Sequence, residues 1–245
     1  MIRWASLCAA LWWLASPASA LECRNETYDS NRYTLCEVDT AQEPLTLFLR
    51  DKTGAPFGHF RALEAERGPL AFATNAGMYH DDRRPVGHYV ENGQQEMRIV
   101  ANPGPGNFGL LPNGILCLRD GRADVIETLR FVAEKPACTH ATQSGPMLVI
   151  DGALHPRFIE GSDSRHLRNG VGTSADGTRA VFVISNNAVN FHDFGSFFKD
   201  HLKLPQALFF DGNISRFKAR ALNRSDNGFR MGPIIGLLEA DVKPR

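Results

Sequence analysis

Three short segments place polar side chains and glycine where an apolar run begins or ends: Thr74-Asn75-Ala76-Gly77, Gln143-Ser144-Gly145-Pro146 and Asp211-Gly212-Asn213-Ile214-Ser215. At such junctions the backbone can approach a ligand closely while a rigid element holds the side chain. The groups on offer are a carboxylate, amides and hydroxyls. Asp211 can accept a proton or face a developing positive charge, and Asn75 and Gln143 can each both donate and accept hydrogen bonds. A fourth segment, Ser164-Arg165-His166-Leu167-Arg168-Asn169-Gly170-Val171-Gly172, adds cations beside a glycine-flanked strand. Guanidinium stays charged and binds phosphate or carboxylate bidentately, so Arg165 and Arg168 are candidate clamps for an anion. For each of these segments a plain turn or a solvated loop is the competing reading.

The elements that would carry them are short strands punctuated by Asx-Gly dipeptides, which occur at Asn92, Asn113, Asp120, Asp151, Asn169, Asp176, Asp211 and Asn227. Each supplies residue types that accept positive φ, so a sheet-rich body with many tight turns is expected. The apolar runs predict strands over Tyr33 to Val38, Leu45 to Leu49, Leu70 to Thr74, Val86 to Glu91, Ile115 to Arg119, Met147 to Ile150, Ala180 to Ser185, Ala207 to Phe210 and Ile234 to Leu238. Several are apolar on both faces and should lie centrally. Helices are predicted over Arg61 to Arg67, Val125 to Ala133 and Asp193 to Leu202. In the last, Phe194, Phe197, Phe198 and Leu202 fall on one face and should be core. No linker divides the chain, so the expectation is one α+β domain with a few helices packed on its sheets.

That domain should start after residue 20. Arg3, the apolar run Leu7 to Leu14, Pro17 and the ending Ala18-Ser19-Ala20 have the form of a secretory signal with its cleavage site. The run is too short for a membrane span, which needs roughly 20 apolar residues, so no stable membrane anchor is expected. Removal of residues 1–20 takes away Arg3 and Cys8 and leaves 26 basic against 27 acidic groups, with four cysteines. A near-neutral chain has no long-range field for a polyanion, which argues against nucleic acid as a partner. In an exported protein, periplasmic or secreted, disulfides are the default for Cys23, Cys36, Cys117 and Cys138. Pairing of neighbours, Cys23 with Cys36 and Cys117 with Cys138, is favoured because short loops close readily. The spacings do not suit zinc.

Two rival functions follow from the residues. A metal-dependent phosphodiesterase would draw on His80, Asp81, Asp82, His88, His155, His192 and Asp193, although no HExxH or comparable spacing occurs. A non-catalytic envelope module would bind a glycan or a protein through the same cleft. There is no GxSxG, P-loop or dinucleotide fingerprint, and neither a metal nor a cofactor is expected.

Taken together and in order, ATNAGMY (73–79), NFGLLPNG (107–114), ATQSGPMLV (141–149), SRHLRNGVG (164–172), VNFHDFGSFFKDHL (189–202), ALFFDGNIS (207–215) and GPIIG (232–236) resemble the phosphodiester glycosidase domain family. The resemblance runs from about Tyr33 to Leu238 and is nearest to the short bacterial exported branch. By position, Asn75 and Gly77 match the family's Asn-x-Gly element, Gln143, Gly145 and Pro146 its Gln-x-Gly-Pro element, and Arg168 with Gly172 its Arg-x-x-x-Gly element. Asp211 and Gly212 match an Asp-Gly motif that usually continues with a second glycine, here replaced by Asn213. The resemblance implies cleavage of a sugar-1-phosphodiester, of the N-acetylglucosamine-1-phosphodiester kind, at the anomeric C–O bond. The expected partner is such a carbohydrate phosphodiester, with a cell-envelope glycan as a candidate source. Phosphate is a good leaving group, so the site needs a cation for it and a carboxylate for water or for the oxocarbenium-like centre more than a strong general acid. Arg168 is expected in the first role and Asp211 in the second. Asn75, Gly77, Gln143, Ser144, Gly145, Arg165, His166, Gly212 and Ser215 are expected to line the substrate, with His166 a candidate acid or phosphate contact.

Overall fold

The computed structural model describes residues 21–212 and 214–242. The expected leader and Asn213, which stands where the second glycine of the Asp-Gly motif was expected, lie outside the described residues. The chain runs through β1 (Leu21–Tyr28), β2 (Asn31–Asp39), β3 (Thr46–Phe48), α1 (Phe60–Arg67), β4 (Leu70–Asn75), β5 (Tyr89–Glu91), β6 (Gln94–Met97), β7 (Gly114–Arg119) and β8 (Arg122–Glu127). It continues through α2 (Thr128–Glu134), β9 (His140–Ser144), β10 (Met147–Ile150), β11 (Ala153–Leu154), β12 (Asn169–Thr173), β13 (Arg179–Ser185) and α3 (Phe191–Ser196), which widens into a π-helical turn over Phe197–His201. The last strands are β14 (Gln206–Asp211), β15 (Phe217–Ala219), β16 (Arg224–Ser225) and β17 (Ile234–Leu238).

These strands form three antiparallel sheets, in the orders β1-β2-β13-β12-β14-β10-β11, β16-β15-β4-β17-β3 and β6-β5-β9-β7-β8. One core is shared by all three: Cys36, Phe182 and Phe210 from the first sheet, Phe72, Phe217 and Ile235 from the second, Tyr89 and Leu116 from the third. Each sheet carries one helix on its other face. The predicted stripe Phe194, Phe197, Phe198 and Leu202 packs on Tyr33, Val181 and Phe209 of the first. Phe60 and Leu63 of α1 pack on Ala73 and Ile234 of the second, and Phe131 of α2 packs on Ile115 and Ala141 of the third. The domain is therefore α+β and sheet-rich, as the residue pattern implied.

Several expectations are corrected. The helix predicted from Val125 starts only at Thr128, because Val125 pairs with Leu116 across the β7–β8 hairpin and is buried there. A strand is predicted over Val86 to Glu91, but only Tyr89–Glu91 forms one. Asn169-Gly170 is no turn; both residues lie inside β12, paired on one side with Ile184 and Val183 and on the other with Asp211 and Phe209. Gly170 is there for close approach: a Cβ would stand 2.5 Å from the Leu208 carbonyl oxygen. Other Asx-Gly pairs do turn, as at Asn92-Gly93 between β5 and β6, where both residues have positive φ.

The disulfides are Cys23–Cys36, directly opposed across β1 and β2, and Cys117–Cys138. The latter closes a 21-residue separation, and replacing both of its cysteines by Ser is expected to lower unfolding free energy by about 3 kcal/mol. Urea denaturation of the double variant measures this; an unchanged midpoint would show that the bridge does not constrain the unfolded chain.

Candidate active site

Four strand ends drawn from all three sheets meet at one place: Asn75 at the end of β4, Ser144 at the end of β9, Asn169 at the start of β12 and Asp211 at the end of β14. Asn75, Ser144 and Asn169 are fully buried. Polar groups so placed must find partners, and here they find each other. The Asn169 Nδ2 group donates to Asn75 Oδ1 at 2.9 Å and to Thr74 Oγ1 at 2.9 Å, while Asn75 Nδ2 donates back to Asn169 Oδ1 at 3.2 Å. The reciprocal amide pair ties β4 of the second sheet to β12 of the first.

Asp211 hangs on this pair. Its backbone N–H donates to Asn169 Oδ1 at 3.2 Å, and its carbonyl accepts from Ser215 Oγ at 2.9 Å. The Ser144 hydroxyl donates to the Phe210 carbonyl at 2.9 Å, one residue before. The register of β12 on β14 shifts between Asn169 and Gly170, and such a bulge bends the bulged strand locally. The Asp211 backbone is thus held from three directions, and the residue itself is half-buried. Within electrostatic reach of it is Tyr79, whose hydroxyl donates to the Arg230 carbonyl at 2.9 Å. Burial, and after it the negative charge of Asp211, pushes this phenol up to about 12, so it stays a neutral donor at ordinary pH.

The cations divide differently from expectation. Arg168 is among the largest fully buried side chains. Its guanidinium lies 3.6 Å from the Phe191 ring centre and 5.5 Å from that of Phe209, donating through Nε to the Val189 carbonyl and through Nη2 to the Ser164 carbonyl. Burial alone depresses it to about 10, so it remains charged. Arg165 is bound to Asp193 at 3.1 Å and to Asn31. Both guanidiniums hold protein, although Arg168 Nη1, buried, has no hydrogen-bond partner among the described residues. A third arginine, Arg216, is joined to the amide pair through its backbone. Its backbone N–H donates to Asn75 Oδ1 at 3.0 Å and its Nη1 to the Ser215 carbonyl at 2.8 Å, while its buried Nε has no protein partner.

The other expected residues fall into two groups. Gly77, with φ of +126°, would bring a Cβ within 3.2 Å of the Gln143 carbonyl oxygen and so lets β4 run out against β9. Ser215 is buried under the amide pair, and Gly212 lies against Leu167 and His166, whose side chain is exposed. Gln143, by contrast, spends its amide on the frame: Oε1 accepts from the N–H groups of His88 and Val100, and Nε2 donates to the Val100 carbonyl and Thr128 Oγ1. Gly145, in a cis bond to Pro146, is pressed on Asn113. Both serve the chain's path rather than an open surface.

Three residues at the centre were not singled out as site candidates. Asn169-Gly170 has the form of a turn; Tyr79 closes the motif ATNAGMY without being an obvious reactive group there, and Arg216 lies one residue past the end of ALFFDGNIS. The histidines and acids of the metal-dependent rival are dispersed. His88 bonds the Met97 carbonyl, His155 stacks on Phe158, and among the described residues no three His, Cys, Asp or Glu side chains gather as a metal would require.

The backbone of Asp211 rests on a buried amide pair at strand ends converging from three sheets, and the stretch of chain that holds these residues matches a known family model. Residues 69–230 fit the model described as phosphodiester glycosidase. The chain belongs to the phosphodiester glycosidase family. It is 34% identical over 181 residues to the Escherichia coli (strain K12) "Uncharacterized protein YigE", covering 73% of this chain and 70% of that one. The fold is similar to the catalytic domain of zebrafish N-acetylglucosamine-1-phosphodiester alpha-N-acetylglucosaminidase, auto-inhibited by its pro-peptide, with a TM-score of 0.62, 13% identity, and coverage of 93% of this chain and 85% of that one. A hypothetical protein from Synechocystis gives a TM-score of 0.58 at 11% identity, over 88% of this chain and 61% of that one. At these identities the two structures share the fold.

Proposed function

We propose that this chain is an exported hydrolase that cleaves a sugar-1-phosphodiester at the anomeric C–O bond. The observation that carries the reading is the fixed Asp211 backbone beside Tyr79 and Arg216, at the junction of three sheets, in a chain of the phosphodiester glycosidase family. The two disulfides support an oxidising compartment, hence the periplasm or the exterior.

In the reaction the bond from the anomeric carbon to the phosphate oxygen breaks, its electron pair leaves with the phosphate, and water supplies the new hydroxyl. Free sugar, a phosphomonoester and one proton result. Asp211 faces the anomeric centre and meets its positive charge or takes the proton from water. Arg216 takes over the role expected of Arg168, stabilising the departing phosphate. Arg168 becomes a positioning residue, since it is in backbone continuity with Asn169, on whose side chain Asp211 hangs. Tyr79 donates, as a neutral phenol, to a sugar or phosphoryl oxygen. An N-acetylglucosamine-1-phosphodiester is the first substrate to try, and a cell-envelope glycan is a natural source of such a linkage.

The test is a panel of sugar-1-phosphodiesters given to the purified protein in ¹⁸O-labelled water, with free sugar as readout. Label in the sugar is expected. Label in the phosphate would replace this reading with P–O cleavage, and absence of turnover across the panel would leave a binding module.

A further inference from the structure

Beside the centre lies a pocket of about 220 Å³, set between the start of α1 and the segment from Ser225 to Met231. Its ionisable lining groups are His59, Arg61, Glu64, Arg216 and Asp226. The two acids are neutralised by cations outside the lining: Glu64 pairs with Lys218 at 2.9 Å, and Asp226 accepts from Arg224 through both carboxylate oxygens. Among the described residues neither arginine has an acidic partner; the Arg216 guanidinium donates to the Ser215 carbonyl, and its buried Nε is unmatched. With its acids already matched, the pocket keeps an excess of positive charge, suited to an anion with several oxygens.

At its rim stands Phe229, 77% exposed, more so than any other large apolar side chain among the described residues. A single exposed apolar residue is ordinary, so what matters is how this one is held. Gly228 lies flat on the Arg216 guanidinium, and a Cβ there would stand 1.9 Å from Nη2. On the other side the Arg230 carbonyl receives the Tyr79 hydroxyl. The residues on either side of Phe229 are therefore held by Arg216 and Tyr79, and its exposed side chain lines the cationic pocket.

We propose that this pocket is the leaving-group site: Arg216 and Arg61 take the phosphate of the departing monoester, and Phe229 stacks on the ring that this phosphate carries. The proposal rests on the hydrolase reading and narrows it, because it requires an aglycone whose ring lies next to the phosphate and disfavours a bare phosphate or a flexible alkyl chain. Phe229 is a specificity-determining residue in this scheme.

Calorimetry with phenyl phosphate and with inorganic phosphate separates this proposal from the hydrolysis it rests on, since binding is read without turnover. Phenyl phosphate is expected to bind the wild-type protein about tenfold more tightly than inorganic phosphate, a difference of about 1.4 kcal/mol. Phe229→Ala should remove that preference, Phe229→Trp should keep it, and Arg61→Gln should weaken both probes alike. Asp211→Asn should retain the preference. Equal binding of the two probes by the wild-type protein, or a preference that survives Phe229→Ala, overturns the leaving-group site, and turnover of a sugar-1-phosphodiester by that same wild-type protein would leave the hydrolase reading standing.

Discussion

Asp211→Asn is expected to lower hydrolysis of a sugar-1-phosphodiester by about 10²–10⁴-fold, the range a positioned acid–base or charge-stabilising group supplies. The fold should be unaffected. Two contacts that fix residue 211 are made by its backbone, to Asn169 Oδ1 and from Ser215 Oγ, and they survive a change of one side-chain oxygen to nitrogen. Steady-state kinetics beside a thermal unfolding curve measures the two halves. Near-full activity would remove Asp211 from the mechanism, and a collapsed melting temperature would make it a structural residue instead. The variant should also lower the Tyr79 phenol, but only in part, since burial, the larger cause of its rise, remains while the neighbouring negative charge is gone.

Arg168→Ala is expected to lower unfolding free energy by roughly 3–5 kcal/mol, as for other large-to-small changes in a packed core. It empties the space against Phe191 and Phe209 and removes the donors to the Ser164 and Val189 carbonyls, of which Val189 keeps the His166 N–H. Arg168→Met keeps much of the volume and removes a buried charge, so it should recover part of the loss. Urea titration of both variants gives the comparison. Turnover should fall to the same degree on a phosphodiester and on an activated aryl glycoside, because a positioning residue does not touch the leaving group. A loss confined to the phosphodiester would return Arg168 to the role of phosphate cation.

The apolar strands could be read from the residues because a central strand is apolar on both faces, and Ala207 to Phe210 or Ala180 to Ser185 announces itself. The aromatic stripe of α3 was readable for the related reason that its spacing leaves one face apolar. The sequence is least informative where the site is. His140–Ser144 and Asn169–Thr173 are buried along their whole length, yet are built from polar residues and glycine that locally favour turns. Their strand character comes from neighbours on both sides, and those neighbours are remote in the chain. Motif spacing pointed to Asp211, Asn75 and Gly77, which the fold brings to one junction, but could not separate Gln143, whose amide braces the frame, from Asn169, whose amide oxygen accepts the Asp211 backbone N–H. Both are buried amides next to glycine in sequence or space. Only the identity of their partners distinguishes them. The arginines posed the same problem: a cation beside glycines in sequence turned out to be core, and the cation of the centre lay past the end of its motif.

The assembly of the centre from Asn75, Ser144, Asn169 and Asp211 has a kinetic corollary. These residues come from three sheets and are spread over more than half the chain, so no hairpin or helix pair contains a working fragment. Contacts of such long sequence separation are made late and slowly. A nascent or partly folded chain, even one with its local turns and helices in place, therefore carries no competent pocket, and hydrolytic competence arrives only with the last closure of the three sheets around their common core.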